Sequence, residues 1–200
     1  MPLSEQINDD YNILKKYFNK LFVLHAEAEA EELEYIRTRT HLEELESKNI
    51  FHISHLVKPG MLIDIYSFLD FYAQRICKSK KEFFKFELSV SDIRGKNDLH
   101  SYHKYMTRYL GMDLKPFQNS YEHLQKLREV RNHFIHGGGH IGDEQKIKEM
   151  EKIKGIQISG STIFVNDTFV WQSLEHAKNY LVGAAKAGIP ISKTIRDIVS

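Results

Sequence analysis

Two hundred residues with 42% hydrophobic content can bury one good core, so a single domain over residues 1–200 is the expectation. A formal net charge of +1 argues against a molecule that holds polyanions through its bulk charge. Cys77 is the only cysteine, which excludes an intrachain disulfide and a zinc site of several cysteines and points to a reducing, cytoplasmic setting. Met1 to Asp10 is polar and acidic, the wrong chemistry for a secretion signal, and no apolar run approaches the ~20 residues of a membrane helix, so no membrane partner is expected.

The elements follow in chain order. Asp9 and Asp10 can cap a helix whose apolar positions Tyr11, Leu14, Phe18, Leu21, His25 and Ala28 step by three or four. Helix formers continue through Leu42 and Leu45, so residues 10–48 read as one long helix or a helix pair. A straight helix of that span would be about 57 Å long. It either breaks near Thr38-Arg39-Thr40 or projects as an arm. Pro59 then opens the most hydrophobic helix, with Met61, Leu62, Ile65, Phe68, Leu69, Tyr72 and Ile76 on its apolar face. A third helix runs from Asp98 to Leu110 and stops at Gly111. The fourth spans Asn119 to His136, with Tyr121, Leu124, Leu127, Val130 and Phe134 as core candidates. β-Branched residues around Ser159-Gly160-Ser161 mark a hairpin within 155–166, and Asp167 caps a last helix that ends before Gly188 and Pro190. The expected fold class is all-α: a helical bundle of about five helices with a small β-hairpin inserted before the last one.

Charge is unevenly placed. From Arg75 to Lys115 there are ten Lys and Arg against five Asp and Glu, whereas Ala26 to Glu46 holds eight Glu against two Arg. Such blocks suit self-association or a basic patch, and equally suit two solvated helix faces. The basic block interleaves Phe83, Phe84, Phe86, Tyr102, Tyr105 and Tyr109, a mixture that can hold single-stranded RNA through phosphates and stacked bases or can simply build core.

Leu127 to Gly139 is the stretch with most chemistry. It reads as a helix ending in three glycines, with Arg131-Asn132 one turn inside and His136 in the last turn. Arginine offers phosphate a fixed, always-charged fork, and histidine moves protons near neutral pH. The same residues also make an ordinary helix end, where a protonated histidine gains from the macrodipole and glycine stops the helix. Arg131 and His136 stand about 140° apart on an ideal helix and share a face only if its end loosens, whereas Asn132 and His136 share one directly.

The Arg131-Asn132-x3-His136 segment, near the end of a late helix in an all-helical chain, resembles the HEPN superfamily and its Arg-x4–6-His signature. The apolar helix from Met61 to Ile76 and the hairpin-then-helix ending are similar to the layout of several HEPN families. The resemblance implies a metal-independent endoribonuclease or a degenerate relative, working as a homodimer in which two motif helices share one cleft. It implies RNA as substrate, no cofactor, and a setting in toxin–antitoxin, phage-defence or RNA-processing systems, with an antitoxin or other regulatory protein as partner. Arg131, Asn132 and His136 would then be catalytic, and Arg128 and His133 substrate contacts. Some HEPN toxins carry a modifiable tyrosine two positions after the histidine; here that position is Gly138, which argues against this form of regulation.

A rival reading is a metal site. His133, His136 and His140 could ligate zinc or nickel, although eleven histidines in the chain will often fall three apart by chance. No Glu-x-x-His, His-Glu-x-x-His or Gly-x4-Gly-Lys-Ser/Thr motif occurs. The leading expectation is thus a HEPN-type endoribonuclease leaving 2′,3′-cyclic phosphate ends. The alternative is a non-catalytic HEPN-like domain for dimerisation or for binding nucleotide or protein.

Overall fold

A computed structural model of the chain describes residues 1–38 and 44–190, with side chains described for 1–31, 34 and 57–190. Within these residues the fold is all-α, with a β-hairpin before the last helix. Helix α1 is Leu3–Thr38, α2 Glu44–Phe84, α3 Asp98–Lys104, α4 Gln118–Gly137, α5 Glu144–Met150 and α6 Asp167–Lys186. The hairpin pairs β1 (Ile156–Ser159) with β2 (Thr162–Val165) antiparallel, Ile156 opposite Val165 and Ser159 opposite Thr162. No helix among the described residues is long and apolar enough to cross a membrane.

Three starts differ from expectation. Helix α1 begins at Leu3, so Asp9 and Asp10 lie inside it rather than capping it, and Asp10 instead accepts a hydrogen bond from the Tyr72 hydroxyl. Pro59 does not open a helix; it sits buried within α2. A mid-helix proline removes one backbone bond and costs roughly 3 kcal/mol, a cost that the apolar face following it offsets, since each large side chain buried there contributes about 1.5–3 kcal/mol. Asp167 is the first residue of α6 rather than its cap. The carbonyl of Asn166 takes the Phe169 and Val170 amides, while Asp167 pairs with Lys58 at 2.7 Å. Helix α1 ends at Thr38; the expected continuation through Arg39, Thr40 and Leu42 lies outside the described residues.

The chain divides into two compact units. The first comprises Met1–Asp10, Ile65–Leu127 and the described residues from Ser173. Its core takes Ile65, Leu69, Tyr72, Ala73 and Ile76 from α2, positions that repeat every three or four residues as an apolar helix face must. Tyr102, Tyr105 and Met106 join it; after α3 the helix widens into one π turn, Tyr105–Tyr109, in which Leu110 N–H reaches the Tyr105 carbonyl. Gly111, at φ +70°, ends that run.

A polar seam crosses this core. His103 Nδ1 lies 3.1 Å from the Tyr180 hydroxyl, and His100 Nδ1 lies 3.1 Å from that of Tyr121. The His103 and Tyr121 rings stack with centroids 3.9 Å apart. His123 meets Ser173 at 2.9 Å and His176 meets Ser120 at 3.0 Å, their imidazoles stacked at 4.4 Å. Burial favours the neutral form of three of these rings: His103 and His123 are each pushed down to about 4, helped by His100 in one case and by His176 and Lys126 in the other, and His176 is lowered in the same direction.

The second unit comprises the described residues of Tyr11–Asp64 and Arg128–Gln172. Phe18 and Phe22 of α1 pack on Trp171 of α6, ring centroids 6.3 and 5.2 Å away. Met61, Leu62, Val130, Ile141, Ile163, Phe169 and Val170 are buried in the same unit.

Candidate functional site

The motif lies in the second unit, in the last turns of α4. Pro116, in a 3₁₀ turn over Lys115–Phe117, leads into the helix. Val130 is buried in the second unit, and Leu124 and Leu127, earlier on the same helix face, are buried in the first. The opposite face emerges at the C-terminal end, where Ile135 is 43% exposed and His136 is exposed. The helix stays regular to Gly137, so its end does not loosen before His136, and Arg131 and His136 project about 140° apart. Within one chain the pair therefore does not share a face.

Asn132 links them. Arg131 Nη1 donates to Asn132 Oδ1 at 3.0 Å, which draws one edge of the half-buried guanidinium toward the next side chain along the helix. Arg128, Asn132 and His136 follow at four-residue intervals, a polar stripe along about two turns and about 12 Å of helix. His133 lies beside this stripe, about 100° around the helix from Asn132. Its proton affinity is lowered by burial and then by the ammonium of Lys146, against an opposing pull from Glu129. Lys146 belongs to α5, whose Asp143 cap accepts the amides of Gln145 and Lys146.

The glycine run is divided in its duties. Gly138 and Gly139 adopt φ +58° and +85°, the left-handed region where glycine alone is unstrained. A Cβ on Gly139 would stand 2.6 Å from the Phe134 ring, so residue 139 must also be small; Gly137 and Gly138 face open space. The hairpin then takes hold of this turn. Ile163 N–H donates to the Gly139 carbonyl at 2.9 Å, Ile141 N–H to Ser161 at 2.8 Å, and His140 Nδ1 lies 3.3 Å from the Thr162 hydroxyl. Nothing local in the sequence announces that the hairpin braces the motif helix; the pairing joins segments some twenty residues apart. Lys146 was equally missed, although Asp143 ahead of Glu144 is a readable helix-start signal.

The triple-histidine metal site does not form. Among the described residues no three His, Cys, Asp or Glu side chains converge as ligands, His133, His136 and His140 included. His133 and His136 are helix neighbours three residues apart, but His140 lies beyond the glycine turn with its Nδ1 3.3 Å from the Thr162 hydroxyl, so the third ligand is missing. No protein-family model, curated protein or solved structure matches this chain.

Proposed function

We propose that the protein is a metal-independent endoribonuclease of HEPN type, with an active site completed when the α4 ends of two copies meet. The observation that carries the reading is the stripe just described: an exposed His136 sharing a face with Asn132, which in turn holds Arg131 by a 3.0 Å hydrogen bond. Arg131 and His136 diverge within one chain, so a second copy is what would bring a guanidinium and two imidazoles around one phosphate. Ile135, apolar and 43% exposed beside His136, gives that contact some apolar surface to bury.

The chemistry then balances without a metal. One His136 takes the proton of a ribose 2′-OH as its oxygen attacks the adjacent phosphorus. Arg131 neutralises the charge gathering on the non-bridging oxygens, with Asn132 fixing its orientation. The second His136, protonated, delivers a proton to the departing 5′-oxygen. The products are a 2′,3′-cyclic phosphate and a 5′-hydroxyl, and the substrate must be RNA because the nucleophile is its 2′-OH. Arg128, one turn before Asn132, is placed for a neighbouring phosphate. A toxin or phage-defence role, with a regulatory protein covering the α4 ends, fits an enzyme of this kind.

The test is cleavage of an unstructured RNA in EDTA with mass analysis of the ends, beside Arg131→Ala and His136→Ala. Cyclic phosphate ends that vanish in both variants support the reading. Products with only 3′-hydroxyl ends contradict the mechanism, and an inert wild type favours the non-catalytic module. That second reading draws its support from the half-burial of Arg131 and its partner one residue away, both also compatible with a purely structural helix end.

A further inference from the structure

The first unit holds a cavity of about 770 Å³ along one face of α2, closed on its other side by the 3₁₀ turn at Val90–Asp92 and by α3. Arg75, Lys78 and Lys81 line it at three-residue steps, a row of cations about 9 Å long. Phe71 lies at one end of that row, 54% exposed, with the Arg75 guanidinium 5.3 Å from its ring centroid. This is the centre of the basic block read in the sequence: Arg75 to Lys85 carries five Lys and Arg and one acid.

The acids around the cavity are held by hydrogen bonds or lie open to water, and Asp92 also faces the Lys81 ammonium. Asp70 is occupied by the Tyr102 hydroxyl at 2.8 Å and by Gln74 at 3.3 Å. Asp92 accepts from the amide and hydroxyl of Ser89. Glu82 stands 3.9 Å from Lys78, both side chains being mostly in water, where such a pair is weak and readily exchanged for another anion. Asp98, in the first turn of α3, is the remaining carboxylate on the lining. Two of the six aromatics of the block, Tyr102 and Tyr105, are buried, and the exposed Phe83 and Tyr109 do not line the cavity, which leaves Phe71, outside the block as first read, as the exposed ring on its lining.

We infer that this cavity is a binding site for single-stranded nucleic acid, with Arg75, Lys78 and Lys81 on consecutive phosphates and a base stacked on Phe71. Cations spaced along a groove beside an open aromatic face suit a strand whose bases are unpaired; a duplex offers no free base face, and an acidic peptide has no use for the ring. Binding of the strand is independent of cleavage, while its service as a substrate-holding site rests on the ribonuclease reading.

The experiment uses the full chain carrying His136→Ala, so that no cleavage can occur, and a fluorescent 12-nucleotide single-stranded RNA followed by anisotropy in EDTA. Lys78→Glu/Lys81→Glu is expected to weaken binding at least tenfold and to reduce the slope of log affinity against log salt by about 1.4, two contacts at ~0.7 each. Phe71→Ala should weaken it by about tenfold, in the range base stacking supplies. Lys154→Glu, an exposed lysine outside the cavity, controls for net charge. Equal loss in Lys154→Glu, unchanged affinity in the cavity variants, or absence of binding by the parent each overturns the inference. So does displacement of the RNA by hexaglutamate at equal concentration, which would assign the site to acidic peptide. Binding through the cavity by a protein that does not cleave as wild type would sink the ribonuclease reading alone. Cleavage by wild type with undiminished binding in Lys78→Glu/Lys81→Glu would sink the cavity alone.

Discussion

The amide of Ile163 in β2 donates to the carbonyl of Gly139 at 2.9 Å, so the hairpin fixes the turn that ends the Arg131–His136 helix. Gly139 is held in a left-handed conformation against Phe134 at the same point. Gly139→Ala is therefore expected to lower stability by at least about 1–2 kcal/mol, the cost of that conformation for an L-residue, with the ring contact adding to it. Gly137→Ala, helical and facing open space, should be neutral or stabilising by up to about 1 kcal/mol. Urea midpoints of the two variants check this; equal midpoints would remove the turn from its bracing role.

The second unit should depend on the aromatic contact between α1 and α6. Phe18 is fully buried with its ring 6.3 Å from that of Trp171, and Phe18→Ala should cost about 3–5 kcal/mol. Trp171 is the only tryptophan in the chain, so its emission reports this contact directly. An unshifted spectrum and an unchanged urea midpoint would show that the contact contributes nothing.

How much of this was legible in the sequence differs from element to element. Helix α4 and the hairpin fall within a residue or two of their expected bounds, because β-branched pairs around Ser-Gly-Ser and an apolar stripe ending in glycine are local signals. Pro59 misled because proline's preference for a first turn is local, while the burial that keeps it inside α2 is tertiary. Helix α5 is two turns long, too short for a periodic face to show. At the site, the divergence of Arg131 and His136 followed from counting residues. The brace by the hairpin and the approach of Lys146 to His133 did not, since both join segments distant in sequence. The seam of His100, His103, His123 and His176 was invisible for the same reason: each finds its tyrosine or serine 21 to 77 positions away.

That seam predicts a pH dependence. His103 and His123 hold their protons in the folded chain only below about 4, and His176 and His133 are lowered in the same direction, whereas an unfolded histidine titrates near 6.5. Between these values the unfolded state binds more protons, so stability should fall steadily as pH drops from about 6.5 to about 4 and level off with respect to these groups below that. His123→Gln should flatten the fall. Urea midpoints taken across this window that stay constant would contradict neutral burial of the rings.

Asn132 separates the catalytic and structural readings of Arg131. As a hydrogen-bond acceptor for a half-buried guanidinium it contributes about 1.5 kcal/mol to folding, the low end for a charged partner, so Asn132→Ala should remain folded at 25 °C. If it also orients Arg131 toward a phosphate, the same change should lower single-turnover cleavage about tenfold or more while thermal unfolding moves only a few degrees. A stability loss with undiminished cleavage would make the bond structural alone.

Whether the α4 ends cut RNA is decided by incubating purified protein with an unstructured RNA in EDTA and identifying the new ends by mass spectrometry, wild type beside Arg131→Ala and His136→Ala. The wild type is expected to leave 2′,3′-cyclic phosphate and 5′-hydroxyl ends, and each folded variant to lose roughly 100-fold or more of the activity. An inactive wild type across many RNAs and concentrations, or variants that cleave as well as it does, would contradict the ribonuclease reading.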